Sequence, residues 1–317
     1  MSLVTAPRGT PLAEPFVHPA LFYRGREEYL AGTLPFIEDG LAAGDPVAVA
    51  APPATLELVR AGLGGAAAHV RFVDMWEAGR NPGRIIPGVL RDFADAHPDA
   101  DRVRIIGEPI WPGRTDVEYP ACVQHEALIN LAFAGRNVTI LCPYDADGLP
   151  PEVLADAEAT HPTVIDSAGP RISERFDVDG VLADCNRGLP ETGRPRATLL
   201  VGLAELTWAR RLAVAEARRA GLEPDRVADF ELVVCELATN SIEHGGGSAD
   251  LAIWHEDGHL VAEVSDGGLL RDPLAGRRPV SPGQLRGRGL IMINYFVDLV
   301  RVHRGDHGTT IRVYLRT

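Results

Sequence analysis

Glu236-Leu237-Ala238-Thr239-Asn240-Ser241-Ile242-Glu243-His244-Gly245 closes the run that decides the fold of the C-terminal half. Upstream stands Pro224, suited to a helix start, and downstream Gly245-Gly246-Gly247, suited to a helix end, so the spacing predicts a helix over 225–243. Phe230, Val234 and Leu237 share one stripe of it, while Glu236 and Asn240, four apart, project from another face about one turn from each other. They can serve one site. A carboxylate there can accept a proton from an attacking hydroxyl or water, and a neutral amide oxygen is a hard ligand that holds Mg2+ without adding charge. Taken alone, the pair reads as the solvated face of a surface helix.

Working outward, a second long helix is expected over Leu199–Ala220, and paired strands over Ala249–Trp254 and His259–Ser265, joined by Glu256-Asp257-Gly258 in a tight turn. A short helix near Leu290–Phe296 and closing strands Val297–His303 and Thr310–Leu315 complete an α/β sandwich, expected to have a mixed sheet. Three further motifs fall at element ends. Asp266-Gly267-Gly268 follows a strand, where the carboxylate can accept from an exocyclic amine and the glycines admit a flat ring. Arg286-Gly287-Arg288-Gly289-Leu290 opens a helix whose exposed amides suit phosphate oxygens, with arginine adding charge. Gly308-Thr309-Thr310 enters the last strand and offers hydroxyls. Each alone is a turn.

Their order within one unit resembles the Bergerat ATP-binding fold shared by gyrase, Hsp90, histidine kinase and MutL proteins. The likeness runs furthest with the anti-sigma factor serine kinases, over about Ala197–Thr317, where 236–245 is similar to their N-box. The resemblance implies ATP and Mg2+ as cofactors, Asn240 holding Mg2+, Glu236 as catalytic base, Asp266 and Gly268 reading adenine, and Gly287, Gly289, Thr309 and Thr310 bordering the phosphates. Arg286 or Arg288 would assist the γ-phosphate. The sequence departs from the pattern after the first box, where Leu269-Leu270-Arg271-Asp272-Pro273 lacks the further glycine often found there. Dimerisation through this half is a further expectation of the resemblance.

The N-terminal half alternates buried-strand candidates Val47–Ala51, Val70–Val73, Val103–Ile106 and Val138–Cys142 with helical stretches Arg26–Ala43, Pro82–Ala96 and Glu118–Ala134, which implies a mainly parallel sheet between helices. His18-Pro19, Leu21-Phe22-Tyr23, Glu108-Pro109-Ile110-Trp111, Glu126, Leu141-Cys142-Pro143-Tyr144-Asp145 and His161-Pro162 together resemble the methanogen/methylotroph, DcmR-type sensory domain, MEDS, over residues 16–164. That family resembles the three-layer RecA-like core, and its proposed role is small-molecule sensing. Glu108, Trp111, Glu126, Cys142, Tyr144 and Asp145 fall near strand ends or facing helices and are the candidate ligand residues. His18, Glu108, Glu126, Cys142 and His161 are also metal-ligand types, but without regular spacing they give no metal assignment. Residues 165–196, rich in Gly and Pro, read as a connector before the nucleotide unit at 197–317.

Composition narrows the rest. The chain has 317 residues and a net charge of −13, which disfavours direct nucleic-acid binding, and no apolar run approaches the ~20 residues of a membrane span. Four dispersed cysteines and an N-terminus without signal-peptide features point to the reducing cytoplasm. No lysine occurs, so a Walker A loop and Schiff-base chemistry are excluded, and ATP hydrolysis in the N-terminal half is not expected. The Pro- and Gly-rich connector cannot supply the helical hairpin of a histidine autokinase. The expected function is a ligand-sensing, anti-sigma factor-type serine/threonine kinase acting on an anti-sigma antagonist protein, with a sigma factor as the other partner. The alternative is an ATP-binding regulator that sequesters its partner without phosphoryl transfer.

Overall fold

Short apolar strands separated by helices put the first half of the chain into three layers. In order they are β1 (Phe16–Val17), β2 (Pro19–Tyr23), α1 (Gly25–Ala43), β3 (Val47–Ala51), α2 (Pro53–Leu63), β4 (Val70–Asp74), α3 (Met75–Ala78), α4 (Pro82–Ile85), α5 (Arg91–Asp95), β5 (Val103–Gly107), α6 (Tyr119–Ala132), β6 (Val138–Asp145), α7 (Pro151–Thr160), β7 (Thr163–Asp166), β8 (Gly169–Ile172) and α8 (Val178–Cys185). The computed structural model describes residues 15–191, 197–280 and 287–317, and the chain divides into two units between Cys185 and Asn186.

The sheet of the first unit runs β4-β3-β5-β6-β2-β7-β8, with β1 also beside β6. Its pairings are parallel except for β7 with β8. Leu21, Val47, Val49, Ala51, Ile106 and Leu141 face one way, into a core with Tyr29, Phe36 and Ile37 of α1 and Leu56, Val59 and Leu63 of α2. Strand alternation turns Ala20, Cys142, Tyr144 and Val164 the other way, toward α6 and α7.

Two stretches differ from the sequence reading. The single helix expected over Pro82–Ala96 is interrupted by a wide turn at Ile86–Leu90, because Pro87 has no N–H for the α-helical ladder. The segment set apart as a connector from 165 instead continues the first unit. Asp166 caps a two-residue turn, its carboxylate accepting from Ala168 N at 2.8 Å, so β7 and β8 form a hairpin, and α8 packs on α6 and α7.

The second unit contains β9 (Ala197–Val201), α9 (Leu206–Arg219), α10 (Pro224–His244), β10 (Ala249–Glu256), β11 (His259–Asp266), α11 (Gly289–Phe296), β12 (Leu299–Gly305) and β13 (Gly308–Arg316). The five strands run β12-β13-β11-β10-β9. Phe230, Val233, Val234 and Leu237 of α10 and Ala209, Ala213 and Ala217 of α9 meet Leu251, Ile253, Leu260, Ala262 and Val264 in the core, giving the expected α/β sandwich.

The sheet is antiparallel at every described pairing rather than mixed. The loop after α9, closed by Leu222 N donating to Ala217 O at 3.1 Å, folds α9 and α10 into a hairpin. The chain thus returns to the end of the sheet that it left, and β10 must run against β9. The helix expected from Leu199 begins at Leu206 instead, since Ala197–Val201 pair with Ile253–Ala249 as an edge strand. Ladder hydrogen bonds and burial of Val201 override the helical propensity of Leu199 and Leu200. Among the described residues no helix is long and apolar enough to cross a membrane.

Candidate functional site

In the second unit, a cleft of about 880 Å3 opens between α10, the end of β11, residues 268–280 and the start of α11. That size lies within the roughly 300–1,000 Å3 of small-molecule sites. The helical period of α10 brings Glu236, Asn240, Ser241 and His244 to its wall, while Leu237 reaches both wall and core. Asp266, Gly268, Gly287, Arg288, Gly289 and Thr309 also line it. Arg286 lies outside the described residues.

Asp266 is held at both oxygens. Oδ2 accepts from the Ser241 hydroxyl at 2.5 Å, and Oδ1 accepts from Gly268 N at 2.7 Å. These contacts fix the carboxylate at the end of β11 and tie it to α10. Ser241, next to Asn240 in the N-box-like stretch, is a positioning group that the sequence reading did not single out. A side chain at Gly268 would sit 2.6 Å from the His244 carbonyl, so the backbone can approach α10 here only without a Cβ.

The same economy appears across the cleft. A Cβ at Gly289 would collide with Glu236 Oε1 and lie 3.1 Å from Asn240 Nδ2. The bare backbone at the start of α11 therefore faces the carboxylate and the amide of α10. The start of α11, the Asn240 amide and the Glu236 carboxylate consequently converge on one region of the cleft, which Arg288 also lines. This donor set fits a polyphosphate with a hard divalent cation, and the carboxylate and glycines at the other end fit an aminated planar base.

Thr309 and Thr310 part company. Thr309 lines the cleft with Ile311, its hydroxyl donating to Gly268 O at 2.7 Å and accepting from Leu270 N at 3.1 Å. Thr310 points to the opposite face of the sheet, where its hydroxyl pairs with that of Ser265 at 2.9 Å. Strand alternation forbids both from facing one ligand, so the sequence expectation that Thr310 borders the phosphates is corrected. In the segment lacking a further glycine, Leu269 and Leu270 line the cleft, and Leu269 is 51% exposed.

The six candidate ligand residues of the first unit separate into distinct places. Glu108 directly follows β5 and Asp145 ends the neighbouring parallel strand β6, where open α/β sheets bind ligands. Burial, with Asp145 adding to it, pushes the Glu108 carboxyl up to about 8. Tyr23 and Tyr29 join this group, their phenols raised first by burial and then by Glu108. Trp111 is instead engaged by the Arg114 guanidinium, 3.8 Å from its ring centre.

Glu126, Cys142 and Tyr144 lie deeper, beside His18 and His161 under α6 and α7. Burial and then His161 pull His18 down to about 4, and burial raises the Cys142 thiol. Register explains why these residues meet. Ala20 pairs with Cys142, so His18, two residues earlier, shares the face of Cys142 and Tyr144. Residue spacing along the chain carries no trace of that juxtaposition.

Residues 17–162 match the profile of the MEthanogen/methylotroph, DcmR Sensory domain, MEDS. Residues 202–315 match that of the histidine kinase-like ATPase domain. Among curated proteins nothing matches the chain significantly. Among solved structures, the chain is similar to the RsbU and RsbW domains of Rv1364c from Mycobacterium tuberculosis, at 21% identity and a TM-score of 0.30. The alignment covers 39% of this chain and 32% of that one, so the chain spans about a third of that structure's length.

Proposed function

We propose, for a chain that joins a MEDS domain to a histidine kinase-like ATPase domain, a cytoplasmic regulator that transfers phosphate from ATP to a serine or threonine of a protein partner. The partner class we infer is an anti-sigma antagonist, with a sigma factor as the competing ligand, and the first unit biases the outcome by binding a small molecule. The observation that carries the kinase reading is the convergence of Glu236 and Asn240 on the side-chain-free start of α11. A passive nucleotide site needs the amide but has no use for a carboxylate at that place.

Asn240 would hold Mg2+ through its amide oxygen, while Asp266 would accept from the adenine amine and Gly268 would admit the ring. Bound Mg-ATP supplies an electrophilic γ-phosphorus with its charge partly neutralised. The main chain at Gly287 and Gly289 and the Arg288 side chain orient the phosphate oxygens. Glu236 takes the proton of the incoming hydroxyl, whose oxygen bonds to the γ-phosphorus as the bond to ADP breaks. The product is a phosphorylated partner whose added negative charge weakens its contacts.

The test is transfer of label from γ-labelled ATP to a partner serine or threonine in the presence of Mg2+. Glu236→Gln is expected to lower transfer by about 10²–10⁴-fold, the usual worth of a general base, with ATP affinity kept. Asn240→Ala should weaken both. If Glu236→Gln leaves transfer and partner control intact, Glu236 is not the base. If no label moves but ATP still governs partner binding, the protein sequesters without catalysis.

A further inference from the structure

Among the described residues, the interior cluster of His18, Glu126, Cys142 and His161 has no part in the candidate nucleotide site. Each is at most 1% exposed, and their nearest ligand atoms all lie within 4.8 Å of one another. His18 Nε2 and His161 Nε2 are each 3.3 Å from Glu126 Oε2, while Cys142 Sγ is 3.4 Å from His18 Nε2 and 3.6 Å from Glu126 Oε2. A cation with tetrahedral bonds of about 2.0–2.3 Å requires ligand separations of about 3.3–3.6 Å. Four of the six edges already have those lengths.

The outward ring nitrogens fix what the inward ones offer. His161 Nδ1 is 2.8 Å from the Ala157 carbonyl, which can only accept, so that nitrogen carries the hydrogen. His18 Nδ1 is 3.2 Å from Asn130 Oδ1, and the Asn130 amide nitrogen is already committed to three main-chain carbonyls. The Asn130 oxygen therefore accepts from His18. In neutral imidazoles both Nε2 lone pairs then point inward at a carboxylate and a sulfur. His161 Nε2 and Glu126 Oε1 have no hydrogen-bond partner, an arrangement that costs free energy in a buried site unless a cation stands among them. Imidazoles anchored through their other nitrogen to a carbonyl or amide oxygen are the usual outer shell of a metal centre.

We propose that His18, Glu126, Cys142 and His161 form a closed four-ligand site for a divalent transition-metal ion, zinc foremost. Two imidazoles and a thiolate favour such an ion over Mg2+ or Ca2+. One carboxylate and one thiolate cancel its two positive charges, which suits full burial. On binding, the Cys142 sulfur bonds to the metal and its proton passes to solvent. The ion would tie the break between β1 and β2 and strand β6 to helix α6 and the end of α7. A site with all four positions filled by protein is of the structural kind.

The test uses the full-length protein, stripped with a chelator and reloaded with zinc or cobalt. Elemental analysis after gel filtration should find one ion per chain. The cobalt form should show a thiolate-to-metal charge-transfer band, lost in Cys142→Ser and kept in Cys122→Ser. His161→Gln should weaken binding by more than about 100-fold, beyond the 10–100-fold typical of outer-shell changes. A natively folded wild-type chain that retains no stoichiometric metal overturns the proposal, as does an unchanged band in Cys142→Ser. Should the variants not fold, X-ray absorption of the wild-type zinc form decides. One sulfur at about 2.3 Å and three lighter ligands at about 2.0–2.2 Å support the site, and a shell without sulfur sinks it.

Discussion

Gly289 is a residue where the candidate nucleotide site is sensitive to one added atom. Its missing side chain leaves room for the Glu236 carboxylate and the Asn240 amide, so Gly289→Ala must displace that carboxylate and crowd that amide, the groups that would act at phosphate and magnesium. We expect ATP affinity to fall at least about tenfold, or roughly 1.4 kcal/mol, read by calorimetric titration with circular dichroism unchanged. Glu108 makes a different prediction. Its folded-state pKa is raised to about 8, so the folded protein retains a proton that the unfolded chain releases near the ordinary carboxylate range. The resulting stabilisation is fully present at low pH and is lost as pH rises to about 8. The slope approaches roughly 1.4 kcal/mol per pH unit at its steepest. Glu108→Gln should flatten the stability profile between pH 5 and 8 in denaturant titrations, and a parallel profile for both proteins would contradict the buried-acid assignment. At this scale the lining of the candidate site was legible where a local period or a turn motif carried it. Glu236 and Asn240 declare themselves through one helical turn, whereas Ser241 acquires its role only when α10 packs beside the end of β11.

At the scale of elements, Thr309 and Thr310 show what strand periodicity decides. The Thr309 hydroxyl bridges Gly268 O and Leu270 N at the cleft, while Thr310 serves the other face with Ser265. Thr309→Val should therefore weaken nucleotide binding about five- to tenfold, near the worth of one or two hydrogen bonds, and Thr310→Val should leave it unchanged. Equal losses in the two variants would mean that β13 twists out of the register seen here. Sequence periodicity located the strands of the first unit and α10 well because their apolar patterns are local. It misread β9, whose strand state depends on the ladder with β10, and it took the turn between β7 and β8 for a connector because Gly and Pro mark hairpins and linkers alike. The antiparallel sense of β9 against β10 was hidden as well, being fixed by the α9–α10 hairpin rather than by either strand's own residues. The His18, Glu126, Cys142 and His161 cluster is the extreme case, since its members come from separate elements and meet only through the register of β2 against β6.

For the whole molecule, each unit has its own apolar core, one centred on α1, α2 and the parallel sheet and the other on α9, α10 and the antiparallel sheet. Cores of this kind unfold as separate cooperative steps, so two calorimetric transitions are expected from the full chain. A ligand stabilises the unit that holds it by RT ln(1 + [L]/Kd), about 2.7 kcal/mol at a hundred times Kd. For units of this size that corresponds to an upward shift of roughly 5–15 °C. Mg-ATP should raise one transition by such an amount, and at the same ATP concentration a tenfold weaker site in Gly289→Ala should cut the rise to about half. Lowering the pH from 8 to 6 should raise the other transition through Glu108, and Glu108→Gln should remove that response. If the first unit biases the second, linkage requires the reverse effect of equal size, so saturating Mg-ATP would also displace the pH-responsive transition. The size of that displacement measures the coupling free energy directly. A pH-responsive transition that stays fixed under saturating Mg-ATP would mean that the two units share a chain without sharing a signal.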